Sequence, residues 1–392
     1  MTTFWIIAFW TAAGLLGYVL LGYPLALMVL GLFRRRREPG TAEPTVSLVI
    51  TVHNEEAVIE EKLENSLALD YPRDKLEILV ASDGSTDGTV ELARSYESRG
   101  VRVLAFPQRR GKAAAMADAA GQATGEVLCL SDANVMLRPD ALKILTWRLA
   151  GPEVGAVSGQ VRIASDESNF GEGESFYYRV ERQLQLAESR IGSLMGVDGG
   201  MYVLRRELFG PLPPDTILDD FVLSVQVMRR GYRVAYEPRA VARENGTPAA
   251  RQEWRRRVRI AAGAVQSIKR GHWPPLRRPV LLWQYLSHKA LRWTTPIWLG
   301  VLLLGNAVLW PVNVFYRITL AAQLLVYLSA GLAAVWLRYR ETRAGGIPFY
   351  FTMSNLAMAC GLVRGLLNRQ PVTWDQAQRS RFQPSREEIA VN

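Results

Sequence analysis

The 392-residue chain is long enough for a large globular domain and a smaller second part, and its 49% hydrophobic residues are concentrated in a few runs. Its two cysteines, Cys129 and Cys360, exclude a disulfide framework and a cysteine-rich zinc site. The formal net charge of +10 fits arginines that flank apolar segments and bind anionic membrane lipid. No nucleic-acid-binding module is recognisable, so nucleic acid is not expected as a partner.

Residues 1–37 are predicted to form an N-terminal transmembrane anchor. Residues 4–33 contain no charged residue, and this run exceeds the roughly 20 apolar residues that a membrane helix needs. A cleaved signal peptide is the alternative, but the run lacks a basic start and is about twice as long as a signal's apolar core. Four arginines at 34–37 follow, and basic clusters stay in the cytoplasm, so the domain after them is expected there.

Residues 45–271 are predicted to form an α/β domain with a mostly parallel sheet. Continuous apolar runs, typical of buried parallel strands, alternate with segments of helical periodicity. Strands are expected at 45–53, 76–83, 101–106, 126–132 and 232–238, with a glycine turn leading into a further strand at 198–206. Helices are expected at 55–69, 89–100, 112–125, 172–190, 219–231 and 250–270.

Polar residues stand at the carboxyl ends of three predicted strands: His53, Asp83 and Asp132. Ligands of open α/β sheets bind outside these strand ends, so the three side chains predict one crevice. Asp132 and Asn134 lie together after the strand in "EVLCLSDANVML". Their oxygens suit Mg²⁺, which takes a few carboxylates plus substrate phosphates. Capping of a helix that begins near Pro139 is the alternative, and these two residues alone do not decide between the two.

Two glycine-containing segments have the composition of nucleotide-binding loops. In "SDGSTDGT", residues 82–89, the glycine indicates either a plain turn or close approach to a nucleotide whose base or ribose donates to Asp83. In "RRGKAAAM", residues 109–116, Lys112 stands at a helix N-terminus, which attracts anions. The chain lacks both a Walker A loop and GxGxxG, so a nicotinamide-type Rossmann site is not expected.

The segment "TILDDFVLS", residues 216–224, opens a predicted helix with two acids. Asp219 is expected to interact with the helix dipole. Asp220 is a candidate general base, because a crevice sets the pKa of such a carboxyl through its neighbours.

Residues 279–368 are predicted to return to the membrane. The stretch 279–292 contains His288, Lys289 and Arg292 and is too polar to span, so an interfacial helix is expected. Spans are predicted at 293–312 and 318–337. The run 347–367 is expected to lie in plane or to re-enter, because a full span would place the basic tail 369–392 outside the cytoplasm.

Together, the motifs within residues 46–266 resemble the catalytic domain of inverting family 2 glycosyltransferases, which have the GT-A fold. The resemblance is to membrane-embedded members such as cellulose, hyaluronan, chitin and poly-N-acetylglucosamine synthases. The matching segments are, in chain order, "TVHNE", "DGSTD", "GKAAAM", "DAN", Gly199 to Arg205, "LDDFVL" and "RRVRIAAG".

The resemblance implies a role for each matching position. Asp220 corresponds to the catalytic base, and Asp132 with Asn134 to the site of Mg²⁺ or Mn²⁺. The residues on the nucleotide-sugar side are His53, Glu55, Asp83, Lys112 and Asp132. The residues on the acceptor and diphosphate side are Gly199, Gly200, Asp219, Arg256 and Arg259.

Two residues depart from the family pattern. Asn134 stands where an acid is usual, which predicts weaker metal binding. Ile260 stands where the polymerising synthases carry a tryptophan that stacks on the acceptor sugar, and isoleucine stacks poorly on a sugar face. Processive polymerisation is therefore less expected.

The resemblance implies transfer of a sugar from a nucleotide sugar, expected to be a UDP-sugar, to a polysaccharide or lipid-linked acceptor. The reaction would take place at the cytoplasmic face of a bacterial inner or plasma membrane. One alternative, favoured by Ile260, is a non-processive glycolipid or polyprenyl-phosphate glycosyltransferase. A second is an inactive subunit of a synthase complex, which the retained Asp83, Asp132 and Asp220 disfavour. Expected partners are the donor, a glycan or lipid acceptor, membrane lipid, and synthase or export proteins.

Overall fold

The structure, a computed structural model, describes residues 1–33, 40–164, 171–245 and 250–373. The arginines at 34–37 and most of the basic tail, 374–392, lie outside the described residues, so the predictions for them stay untested. The N-terminal apolar segment is helical, as expected. Two helices, α1 (Thr2–Gly17) and α2 (Tyr23–Leu32), continue through a π-helical turn at Tyr18–Gly22.

Eight described strands form one sheet in the order β3-β2-β1-β4-β7-β6-β8-β5. Their bounds are β1 Val46–Val52, β2 Leu76–Asp83, β3 Val101–Phe106, β4 Val127–Asp132, β5 Val135–Leu137, β6 Val154–Ala164, β7 Met201–Arg205 and β8 Arg233–Asn245. β1 pairs in parallel with β2 and β4, β2 with β3, and β6 with β8. β7 runs antiparallel to β4 and β6, and β5 antiparallel to β8.

The expected mostly parallel sheet is thus a mixed sheet. The half that contains β1 to β4 is parallel, as predicted, whereas β7 reverses direction beside β4. Hydrophobic runs mark buried strands but do not encode their direction, so this reversal was not visible in the sequence. β6 was not predicted because Gly155, Ser158 and Gln160 interrupt its apolar pattern.

Within the described residues, six helices accompany the sheet, and a seventh connects this domain to the last apolar helix. They are α3 Ile59–Leu67, α4 Thr89–Arg94, α5 Lys112–Gln122, α6 Ala141–Leu149, α7 Gly171–Ile191, α8 Asp219–Arg229 and α9 Ala250–Lys269. Alternate residues of β1 face opposite layers: Leu48 and Ile50 belong to the core that includes α3 and α6. Val49 belongs to the core that includes α5 and α8. Helices therefore cover both faces, and the strand ends remain as the accessible edge.

The interfacial segment is helical but has its polar side chains turned inward. It comprises α10 (Pro279–Gln284), a π-helical turn and α11 (Leu291–Trp293). The His288 ring lies between two carboxylates of α7, with Nδ1 2.8 Å from Glu188 and Nε2 3.1 Å from Glu181. Tyr23 of α2 donates to the same Glu188, so the N-terminal helix, α7 and the interfacial segment share one buried polar cluster.

Up to residue 373, where the described part of the chain ends, four helices follow: α12 (Thr295–Val308), α13 (Val314–Val335), α14 (Leu337–Arg340) and α15 (Arg343–Leu366). Within the described ranges, three helices are long and apolar enough to cross a membrane: Thr2–Leu32, α13 and α15. α12 is shorter than the predicted span 293–312 and falls below that length. Since α15 qualifies by length and composition alone, the in-plane arrangement of 347–367 stays a prediction.

α15 packs closely against α9. A Cβ built on Gly361 would lie 2.7 Å from the Ala261 Cβ, and one on Gly365 would lie 2.8 Å from the Val265 Cβ. Lys269 adds hydrogen bonds from its ammonium to the carbonyl oxygens of Gly365 and Leu366 at the end of α15. The helix that carries Arg256 and Arg259 is therefore fixed to the last apolar helix.

Candidate active site

The site begins where three neighbouring parallel strands end. β1, β2 and β4 are in register, with Thr51 beside Asp132 and Val52 beside Ser82. The ring of His53, directly after β1, donates through Nδ1 to the backbone oxygen of Asp83, at 2.7 Å. The carboxyl ends of these strands therefore lie side by side, as predicted, and a ligand-binding crevice at this edge stays a prediction.

Asp83 holds the loop before α5. Its two carboxylate oxygens accept hydrogen bonds from the backbone N–H groups of Arg110 and Gly111, each at 2.7 Å. Gly84 has a φ of +64°, and a Cβ there would lie 2.5 Å from the backbone nitrogen of Arg109. The glycine after Asp83 is thus required for this close approach. A contact of Asp83 with a nucleotide stays a prediction.

Lys112 joins α5 to the ends of β4 and α8. Its ammonium lies 2.6 Å from Asp132 Oδ1 and 3.9 Å from Asp219 Oδ2. Burial alone would lower the pKa of Lys112, but the carboxylates of Asp132 and Asp219 outweigh it and raise that pKa above its usual value. The lysine is consequently a permanent cation at the centre of the crevice.

Asp219 and Asp220 form the first turn of α8, as predicted. Burial, and then the charge of Asp219, raise the pKa of Asp220 to about 6. Asp220 Oδ1 accepts a 2.7 Å hydrogen bond from the backbone N–H of Phe221. A Cβ on Gly199 would lie 3.4 Å from Asp220 Oδ2, so the glycine leaves that oxygen open. Such a carboxylate is suited to accept a proton near neutral pH.

Asn134 lies in the turn between β4 and β5, and its side chain is held by a residue of another strand. Its Nδ2 donates to Glu244 Oε1 of β8 at 2.9 Å. The helix-capping alternative for Asp132 and Asn134 is wrong: β5 follows them, and α6 begins only after its N-cap residue, Asp140.

Asp132 and Asn134 supply two hard oxygen donors. No group of three or more His, Cys, Asp and Glu arranged for a metal ion occurs in the described parts of the chain. Two protein oxygens completed by substrate phosphates are nevertheless a usual arrangement for Mg²⁺. Because Asn134 already donates through its nitrogen, its oxygen is the atom that faces away from Glu244. The donor set therefore fits a hard divalent cation.

The remaining predicted residues lie around this centre. The backbone N–H of Glu55, whose side chain is buried, donates to Thr89 Oγ1 at 2.7 Å. Gly200 donates to Asp198 Oδ1 at 3.1 Å in the turn before β7. The guanidinium of Arg259 donates to the backbone oxygen of Ile217, which ties α9 to the loop before α8. Arg256 lies 3.8 Å from Glu253 on α9 itself.

Three residues near the crevice were missed: Lys62, Asp198 and Glu244. Lys62 of α3 is fully buried and donates to Ser131 Oγ, at 2.8 Å, and to the backbone oxygen of Val135. It thus holds the turn 132–134 at both ends, and burial lowers its own pKa to about 8. Burial raises the pKa of Asp198 and of Glu244.

A signal for Lys62 was present in the sequence. It lies four residues after Val58 and three after Ile59, a spacing that places it on the same helical face as these two apolar residues. Glu244 and Asp198 carried no comparable signal, since their relation to the crevice depends on contacts between distant strands.

Comparison with known proteins identifies the fold. Residues 47–211 match the family model described as Glycosyl transferase family 2. The chain carries a family 2 glycosyltransferase domain. Its glycosyltransferase class and its GT-A fold, both expected from the motifs, are thereby confirmed, together with apolar helices on both sides of the domain.

Relatives of this chain include proteins named poly-beta-1,6-N-acetyl-D-glucosamine synthase. The protein from Staphylococcus epidermidis is 26% identical over 238 residues, which are 59% of this chain and 57% of the relative. The protein from Staphylococcus aureus strain COL is 28% identical over 57% of this chain and 56% of the relative. The similarity thus spans little more than half the length of these relatives.

One solved structure resembles nearly the whole glycosyltransferase chain. It is the mannosyltransferase PcManGT from Pyrobaculum calidifontis, in complex with GDP-Man and Mn²⁺. The TM-score is 0.71 and the identity 27%, and the similarity covers 93% of this chain and 100% of that chain. The likeness therefore includes apolar helices as well as the sheet.

Proposed function

We propose that this glycosyltransferase transfers a sugar, with inversion, from a nucleotide-sugar donor to an acceptor hydroxyl, and that Asp220 is the general base. The observation that supports this most is the half-buried Asp220 carboxyl, whose pKa is raised to about 6, beside the Lys112–Asp132 pair. A base and a fixed cation at one crevice are the two groups that such a displacement needs. The family-model match ends at residue 211, so the role of Asp220 depends on this geometry and on the "LDDFVL" motif.

In this mechanism Asp220 takes the proton of the acceptor hydroxyl as its oxygen attacks the anomeric carbon. The bond between that carbon and the nucleotide diphosphate breaks, and the diphosphate leaves with the bonding electrons. Lys112 lies where it would offset this charge. Asp132 and Asn134 would hold Mg²⁺ or Mn²⁺, and such a cation, when bound, also neutralises the diphosphate. His53, Glu55 and Asp83 are proposed to bind the donor nucleotide.

Arg256 and Arg259 are proposed to act on the acceptor and diphosphate side, with Gly199, Gly200 and Asp219 shaping the space before the base. α9 carries both arginines and is fixed to α15, which supports an acceptor that arrives along the membrane helices. We place the domain on the cytoplasmic face of the membrane, as the arginines at 34–37 predict.

The acceptor is proposed to be a glycan or a lipid-linked glycan. Relatives named as poly-beta-1,6-N-acetyl-D-glucosamine synthases support the first. Ile260, half-buried on α9, supports the second, because it offers no aromatic face to a growing polymer. Single transfer to a lipid-linked acceptor is therefore the second candidate function.

The proposal is tested with membranes that contain the full chain and a panel of radiolabelled UDP- and GDP-sugars, with and without EDTA. One donor should give labelled product that EDTA abolishes and added Mn²⁺ or Mg²⁺ restores. Product size and extraction into organic solvent distinguish polymer from glycolipid. Release of free sugar with no acceptor-bound label from any donor would contradict the proposed transfer. Full activity in EDTA would exclude a role for the metal ion in the reaction.

A further inference from the structure

Glu244 contacts the turn that carries the proposed metal ligands, although no motif includes it. It lies in β8, where it is the antiparallel partner of Val135, the residue after Asn134. Its Oε1 accepts the 2.9 Å hydrogen bond from Asn134 Nδ2. The two side chains are 110 residues apart in sequence and meet only through this strand pairing.

The hydrogen bond determines which way the Asn134 carboxamide faces. A carboxamide donates only through its nitrogen, and a carboxylate only accepts. Because Glu244 occupies the nitrogen, the Asn134 oxygen is directed to the other side of the group. Lys62 restricts the same turn, because its ammonium donates to Ser131 before the turn and to Val135 after it. The amide therefore has little freedom to rotate.

The same contact explains why an amide is present where an acid is usual. An aspartate at 134 would place its carboxylate against the Glu244 carboxylate, at a distance where like charges repel strongly. With the neutral Asn134 at this position the repulsion is absent, and its amide donates a hydrogen bond to Glu244 instead. The negative charge absent from position 134 is present instead on the neighbouring strand.

We propose that Glu244 is a positioning residue of the metal site, and that Asn134 and Glu244 together replace the second acid of the usual pattern. Glu244 holds the Asn134 nitrogen so that the amide oxygen is presented to the cation, and its charge adds to that of Asp132. This inference rests on the metal site of the proposed function. It identifies Asn134 as one half of a matched pair.

The test is Mn²⁺ binding by full-length protein in detergent, measured from the EPR signal of free Mn²⁺ with UDP or GDP present. Glu244→Leu removes both hydrogen bond and charge, so we expect at least about a tenfold weaker affinity for Mn²⁺. Glu244→Gln keeps an acceptor oxygen and should lose less. Asn134→Asp should also weaken binding about tenfold, whereas the double variant N134D/E244Q should recover it, because the glutamine amide can donate to the new carboxylate.

Two controls separate the possible failures. Asp132→Ala should abolish the Mn²⁺ site, and Glu207→Gln, an exposed acid outside the crevice, should leave it unchanged. Thermal unfolding of each variant identifies any that fail to fold, and E244Q and N134D/E244Q are conservative enough to keep the fold. Wild-type affinity in E244L, or tighter binding in N134D alone, would overturn the role of Glu244 while the metal site stands. Mn²⁺ binding that D132A leaves unchanged would refute the metal site itself and this inference with it.

Discussion

The pH dependence of transfer tests the role of Asp220 through its neighbour Asp219. A general base acts only as the carboxylate, so the rate should follow the deprotonated fraction of Asp220. Burial and Asp219 raise this pKa from 3.8 to about 6. The deprotonated fraction is then about 0.9 at pH 7 and about 0.1 at pH 5, so kcat/KM should fall about tenfold. A carboxyl with an ordinary pKa would lose under about a tenth of its rate over this range.

Asp219→Asn removes the second cause of the shift and leaves burial in place. The acidic limb of the profile should therefore keep its shape while its midpoint moves to lower pH. The assay is the initial rate of transfer from pH 4.5 to 8 at constant ionic strength and saturating metal. The matched control, Glu207→Gln, should not move the midpoint. A rate that is flat from pH 5 to 7, or a midpoint that D219N leaves in place or raises, would refute the assignment.

Two glycine substitutions test packing and the donor loop. Gly361→Ala should lower the melting temperature in detergent by the equivalent of about 1–3 kcal/mol, because its Cβ would enter α9. The control Gly331→Ala, which has nothing within 4 Å, should leave the melting temperature unchanged. Equal melting temperatures for the two variants would contradict the packing of α15 on α9. Gly84→Ala should weaken donor binding in a filter or fluorescence assay, because the φ of Gly84 is +64° and the new Cβ would lie 2.5 Å from the backbone nitrogen of Arg109. The control Gly121→Ala, which has nothing within 4 Å, should bind the donor normally. Unchanged donor binding in G84A would show that the turn at Gly84 does not contribute to the nucleotide site.

The parallel half of the sheet and its crevice were predictable from sequence because each buried strand is a continuous apolar run that ends in a polar residue. β1, β2 and β4 end within a residue of the predicted positions, next to His53, at Asp83 and at Asp132. β6 was not predictable in this way. Its Gly159 leaves room for the Met201 side chain, so a residue that weakens the strand pattern is required for packing there.

The polar residues that support the turn were not predictable for a different reason. Lys62 and Glu244 act through partners that are 69 and 110 residues away, and no local spacing encodes such contacts. A lysine on an apolar helix face is usually exposed at its tip, so its periodicity alone did not identify it as buried. The interfacial segment is a similar case, since two of the side chains that suggested a polar surface, His288 and Arg292, pair instead with Glu181 and Glu188.

The central claim is that Asp220 removes the acceptor proton in a site that also binds a nucleotide sugar. Asp220→Asn keeps the size of the side chain and the hydrogen bond from Phe221, but it cannot accept a proton near neutral pH. The decisive measurement compares donor binding with the transfer rate in this variant. We expect donor affinity within about threefold of the wild type and a rate lower by at least about a hundredfold. Transfer at a comparable rate in D220N would contradict the claim.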